Sequence, residues 1–443
     1  MPSILKRSFV LSFSRLANQA IVFLSPILLV RILNVNEYGS YREFMLYAAL
    51  ISSVMTFGAA RSLPYFIPRY PNRERVWVTQ VSLFVLTTSL IAMTGVWIAG
   101  DLIRLNTSFD FVTTLQLYIF FFTNLDFLEL YWLAKKRVDY VFCYSFGRLV
   151  ARMIVLVWAA VATKNAHSIV EALVGLEIVR FCLVFVFVAR KRIFSTGINK
   201  ADLIYQLSYF IPLGAGAIIE LLNQRIGQLF ISTSVGIDAL AIFFVGTFAV
   251  PIVNILRGAI ADVIFPEIME MKTANAKDAL PLWQRATVWY CVLLFPAMVL
   301  FAYYADAVVI ILFTNEYAAS IPVFSVFSAM LFISCFDFHL PLRVLNANRF
   351  YVIANIIALI GNVILMLPLY RFFGLIGLAL ALVASQFMMS MYMGFCASRL
   401  YDMRISEILE WRKIGKIFIA CLLCMPVLIL GKVIIESLLI RCG

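Results

Sequence analysis

Arg15, Asn18 and Gln19 stand at i, i+3 and i+4 inside an apolar stretch, so on a helix they share one face. A guanidinium flanked by two amides suits a phosphate or carboxylate, because its planar fork donates two parallel hydrogen bonds. The competing role for Arg15 is snorkelling to a headgroup layer, roughly 9 Å away at 1.5 Å per residue. Asn254 and Arg257 repeat the arrangement at i, i+3, beside Pro251 and Gly258. Arg61 sits near the end of another apolar stretch, where it is either a third cation of the same set or a topology anchor. The most polar interior holds Glu220, Asn223, Gln224, Arg225 and Gln228, with Glu220, Gln224 and Gln228 forming one stripe. A stripe of this kind is too costly to face hydrocarbon, so a water-filled cavity is expected. Asp126 and Glu129 are candidates for ion coupling, or counter-charges to Arg148 and Arg152. Arg148 itself reads as an interface anchor. Glu177 and Arg180, at i, i+3, read first as an ion pair and second as a coupling site, and Glu220 is a fourth carboxylate of the coupling set.

The elements that must carry these residues are membrane helices. A span needs about twenty apolar residues. Thirteen such stretches fall near 9–31, 41–63, 77–100, 112–134, 146–163, 169–189, 206–232, 239–262, 287–313, 320–340, 350–370, 374–397 and 414–439. The fifth is short, and Pro426 and Gly431 interrupt the last, so twelve to fourteen spans bracket the count. The N-terminal run, with Lys6 and Arg7 before it, reads as an uncleaved first span, because no small-residue cleavage site follows. The connections alternate in charge. One set carries 21 lysines and arginines; the other has Arg104, Lys164 and Arg371, with Arg31 and Arg441 at span ends. This asymmetry places the N-terminus and the 64–76, 190–205 and 263–286 connections in the cytoplasm.

Of the 443 residues, 63% are hydrophobic and 14% charged, against about a quarter charged in soluble domains. A water-facing fold is excluded, and the net charge of +12 follows from the basic loops rather than from nucleic-acid binding. The cysteines, nearly all in or beside apolar stretches, read as small core residues, and Cys421 and Cys424 lack a second pair for metal or redox chemistry. With two histidines, His167 and His339, no metal site is expected. Asp337 beside His339 is the single weak enzymatic pair, and no nucleotide-binding or nucleophile motif accompanies it. No cofactor is expected. A loose repeat relates Glu37–Tyr41 and Pro64 to Ala239–Phe243 and Pro266, about 200 residues on, suggesting two structural halves.

Ordered landmarks add a resemblance. Glu37-Tyr38-Gly39-Ser40-Tyr41, Phe265-Pro266, Asn315-Glu316-Tyr317, Asn346-Ala347-Asn348-Arg349 and Gly374-Leu375-Ile376-Gly377-Leu378-Ala379 run through most of the chain. Asn-Glu-Tyr also has a plain reading as a helix cap, and the glycine pair as a close helix-packing site. In order and spacing the chain resembles polysaccharide-type lipid-linked oligosaccharide (O-antigen) flippases of the multidrug/oligosaccharidyl-lipid/polysaccharide exporter superfamily. The resemblance implies an all-α polytopic protein with two pseudo-symmetric six-helix bundles around a central cleft. Residues 1–200 and 201–400 would form the bundles and 401–443 an extra span. It implies flipping of a polyprenyl-pyrophosphate-linked oligosaccharide by alternating access at the bacterial inner membrane, for O-antigen or capsule synthesis. Polymerase and glycosyltransferases would be its partners, alongside the substrate and the bilayer. Relatives often carry an acidic residue directly before the span-seven arginine, where this chain has Gln224, and they favour twelve or fourteen spans. An anion moving outward from a negative interior gains about 2.3 kcal/mol per charge per 100 mV, so ATP is not required. Two other classes compete: a cation-coupled multidrug exporter, which would prefer a carboxylate in the first span, and a multispan acyltransferase or glycosyltransferase.

Overall fold

The computed structural model describes residues 21, 23–102, 109–195, 197, 199–248, 280–345 and 347–423. Every regular element among them is helical. Among the described residues, nine helices are long and apolar enough to cross a membrane, or ten if a bent pair counts as one span. Two shorter apolar helices, α1 (Phe23–Ile32) and α10 (Ile237–Gly246), coincide with the first and eighth expected spans, whose remaining residues lie outside the described set.

The chain divides into two compact units, Met1–Phe244 and Val245–Gly443. In the first, α2 (Val35–Thr56) begins at Asn34, whose side chain accepts the Glu37 N–H as an N-cap. It stops at Phe57 and Gly58, both left-handed, and a 3₁₀ turn (Ala59–Ser62) leads into α3 (Leu63–Arg69), bent 47° from α2. After α4 (Glu74–Leu102) a second break follows. α5 (Phe109–Thr123) and α6 (Leu128–Ala134) are parted by a turn with Leu125 at φ +57°. α7 (Val138–Thr163) and α8 (Ala166–Arg190) then run full length. The fifth span is therefore 26 residues, not short: Tyr140, Tyr144 and Ser145 are helical although their polarity concealed it. α9 (Lys200–Ser234) is 35 residues long and packs against α2 and the 3₁₀ turn.

Glycine makes that packing close. A Cβ on Gly214 would meet the Phe57 carbonyl oxygen at 2.1 Å, and one on Gly39 would meet the Ile237 oxygen at 2.4 Å. The Glu-Tyr-Gly landmark thus has a mechanical basis. Glu37 accepts the Ala166 N–H at the start of α8, 2.5 Å away, Tyr38 is buried edge-on to Phe244 at 6.2 Å, and Gly39 admits the α9–α10 turn. Gln206 of α9 donates to the Ser62 hydroxyl at 3.0 Å, fixing the lower end of the same contact.

The second unit holds α11 (Leu280–Tyr303), α12 (Ala305–Phe313), α13 (Ile321–Phe327), α14 (Met330–Ser334) and α15 (His339–Val344). It continues through α16 (Asn348–Phe373), α17 (Leu375–Leu400) and α18 (Trp411–Leu423). Its core gathers Trp283, Tyr290, Phe295, Phe338 and Tyr401. Gly374 turns the α16–α17 hairpin at φ +57°, and Gly377 lets the helices close, since a Cβ there would lie 2.0 Å from the Leu369 oxygen. Asn315 does not cap a helix: it opens a 3₁₀ turn whose Tyr317 is fully buried, and no side-chain cap bond forms. Of the cysteines, Cys291, Cys335 and Cys396 are buried as expected, whereas Cys143 and Cys182 are exposed on their helices. The reason is that α7 and α8 present apolar residues on their outer faces as well.

Candidate functional site

The two helix breaks of the first unit face one cavity of about 460 Å³. Its walls include Arg61 from the 3₁₀ turn, Asp126 from the α5–α6 turn, and Glu220 and Gln224 from α9. Four side chains singled out from three distant stretches of sequence therefore meet. Arg61 sits at the break itself, and the seven residues of α3 follow it. It has no ion pair among the described residues, and neither does Glu220.

Beside the cavity lies an ion network. Glu177, 2% exposed, receives the Arg180 Nε at 2.5 Å and faces Arg148 at 3.4 Å and Arg152 at 4.0 Å. Arg148, half-buried, also holds Asp126 at 2.5 Å and so joins this network. Arg180 turns its remaining donors onto the carbonyls of Phe121, Phe122, Asn124 and Leu125. Breaking α5 leaves those carbonyls without helical partners, and a cation there satisfies both their lone pairs and the helix dipole. Glu177 with Arg180 thus acts structurally, stabilising an unwound segment. Glu129 is exposed on α6 and joins neither the network nor the cavity wall.

Higher in α2 and α9 lies a second group. Arg225 donates to Gln228 at 2.9 Å, and its Nε has no hydrogen-bond partner among the described residues. The Arg42 guanidinium lies 3.1 Å over the Phe244 ring, and its Nε likewise has no hydrogen-bond partner among the described residues. Neither arginine has a carboxylate within ion-pair distance among the described residues. Glu43, 4% exposed, instead accepts from the Ser232 hydroxyl, which also meets Tyr47 at 3.2 Å. Arg42 and Glu43 were missed because the apolar count opens the second span at 41, leaving them at its edge. Asn34 followed by Glu37 is a cap-like signal that starts the helix at 35 and carries both residues about two turns inside. Arg15, Asn18, Gln19, Asn254 and Arg257 lie outside the described residues. His339 stacks on Tyr351 at 4.2 Å, and Asp337 offers its backbone oxygen to Trp283 at 3.1 Å, packing roles for the one suspected enzymatic pair.

Solved structures share this fold. A lipid II flippase, MurJ, in an inward closed conformation aligns with TM-score 0.72 at 13% identity, over 96% of this chain and 93% of that one. The eukaryotic MATE transporter AtDTX14 aligns with TM-score 0.64 at 10% identity, over 94% and 98%. A MOP-superfamily transporter from Pyrococcus furiosus, whose binding pocket is of reversed polarity, aligns with TM-score 0.56 at 12% identity, over 91% and 96%. At these identities the likeness establishes the fold. No curated protein matches at the level of sequence. The family described as polysaccharide biosynthesis protein matches residues 28–322. The chain, a multi-pass helical membrane protein, belongs to that polysaccharide biosynthesis family.

Proposed function

We propose that this protein flips a polyprenyl-diphosphate-linked oligosaccharide from the cytoplasmic to the outer leaflet of a bacterial inner membrane. The observation that carries this reading is the Arg42–Arg225 pair. Two guanidinium groups on the apolar helices α2 and α9, each with a buried Nε, have no carboxylate within ion-pair distance among the described residues. Uncompensated buried charge is costly, so the site is built to receive an anion, and a diphosphate offers two negative groups with oxygens spaced for bidentate donors. Arg15 and Arg257, with Asn18, Gln19 and Asn254, would extend this cationic path. The family and the flippase-like fold support the reading. So does the alternation of basic loops, which puts the N-terminus in the cytoplasm. The two units, Met1–Phe244 and Val245–Gly443, would alternate access, with the membrane potential favouring outward movement of the anion. The alternative, a cation-coupled multidrug exporter, has the same fold as the MATE transporter, but two arginines without a carboxylate do not favour a coupling cation there.

The test is surface-polysaccharide display in a deletion strain complemented with Arg42→Ala, Arg225→Ala and the lysine variants, at matched protein level. Alanine should abolish display. Lysine should be intermediate, since charge remains but the fork is lost. Full display from both alanine variants would overturn the anion role.

A further inference from the structure

We propose that the cavity between the α2 and α5–α6 breaks is the sugar subsite of the substrate, built for uncharged pyranose hydroxyls. This rests on the lipid-linked oligosaccharide reading above. Three observations point there. First, the wall is rich in acceptors. Thr56, Ser82 and Thr123 each donate their hydroxyl proton back to a carbonyl of their own helix, at 2.9, 2.9 and 2.8 Å. What each turns outward is oxygen lone pairs, joined by Glu220 and the Gln224 amide. Such a wall favours a ligand with many O–H donors.

Second, the charge balances. Asp126 is held by Arg148, and the remaining ionisable groups on the wall are Arg61 and Glu220, one of each sign. A strongly charged ligand gains nothing there, unlike at Arg42 and Arg225. No cluster of three acidic, histidine or cysteine side chains able to hold a metal occurs among the described residues, which separates the cavity from a divalent-cation site. Third, Phe122 and Phe127 supply aromatic surface, against which the C–H face of a sugar ring packs. The volume of about 460 Å³ lies within the roughly 300–1,000 Å³ of small-molecule sites. Gln224 therefore reads the sugar. An acid at this position, facing Glu220 one helical turn away, would replace a donor-and-acceptor amide with a second negative charge.

The experiment measures binding of two probes to the purified full-length protein in nanodiscs. One probe is undecaprenyl diphosphate without sugar. The other is the lipid-linked oligosaccharide pool extracted from cells lacking this protein. Wild type should bind the sugar-bearing probe more tightly. Glu220→Gln, which is isosteric, and Gln224→Ala should each weaken that probe about 2- to 10-fold, the worth of one hydrogen bond. They should leave the bare diphosphate unchanged, while Arg225→Ala weakens both. Equal wild-type affinity for the two probes would overturn the subsite, as would equal loss of both in the Glu220 and Gln224 variants. A Glu220→Gln effect that follows Na⁺ or pH and ignores the sugar would assign Glu220 to ion coupling and overturn the subsite as well. Wild type binding neither probe would remove the diphosphate reading itself.

Discussion

Replacing Arg180 by methionine tests whether the ion network holds the broken helix together. The guanidinium is 7% exposed and its partner Glu177 2%, so water does not substitute for either. Removing one member of a buried pair costs about 3–5 kcal/mol, chiefly because the other charge is stranded. Four carbonyls, of Phe121, Phe122, Asn124 and Leu125, also lose a donor. Each such bond has a net worth of about 0.5–1.5 kcal/mol. Against this, Arg148 at 3.4 Å and Arg152 at 4.0 Å still face Glu177 and offset part of the loss. The expected destabilisation is therefore about 3–5 kcal/mol. It would be read by equilibrium unfolding in mixed micelles, with Glu177→Gln and the double variant closing a cycle. The coupling should be about 1–3 kcal/mol, as for residues in one network. Destabilisation below about 1 kcal/mol, the level of an exposed pair, would refute a buried structural role.

Gly214→Ala should disrupt the α2–α9 contact, because its Cβ would lie 2.1 Å from the Phe57 oxygen and backbone cannot yield like a side chain. A loss of at least about 1–3 kcal/mol is expected in the same unfolding assay, whereas Gly95→Ala, with open space around it, should be near neutral. Burial pushes the Tyr401 hydroxyl, just past the end of α17, up to about 12 from 10.0. Its folded value exceeds the unfolded one, so its stabilising contribution is full below pH 10 and is lost as pH rises through about 12. Tyr401→Phe should flatten that alkaline limb of an unfolding-against-pH curve, and an unchanged limb would assign it to other groups. Cysteine placed at residue 72 should resist an impermeant reagent added to intact cells. Labelling there would reverse the topology inferred from the basic loops.

Class and element positions were legible in the residues, because a membrane span is a local requirement: about twenty apolar residues satisfy their own backbone without help from the rest of the chain. The 25- and 26-residue helices Ala166–Arg190 and Leu375–Leu400 fall where the apolar runs place them. The polar stripe of α9 was equally visible, since a 3.6-residue period puts Glu220 and Gln224 on one face whatever surrounds it, and both reach the cavity. The helix breaks were not visible. Phe57 and Leu125 take left-handed backbone without being glycine, and what holds Leu125 there is Arg180, 55 residues further along the chain. The fates of the charges were equally non-local. Nothing in the spacing of Asp126 shows that it meets Arg148, and only packing of α7 against the α5–α6 turn brings the two to 2.5 Å. Arg42 and Arg225, 183 residues apart in sequence, lie on α2 and α9, which Gly39 and Gly214 let pack at backbone distance. Hydropathy therefore determines which segments enter the membrane, and tertiary contacts determine which of their charges remain uncompensated.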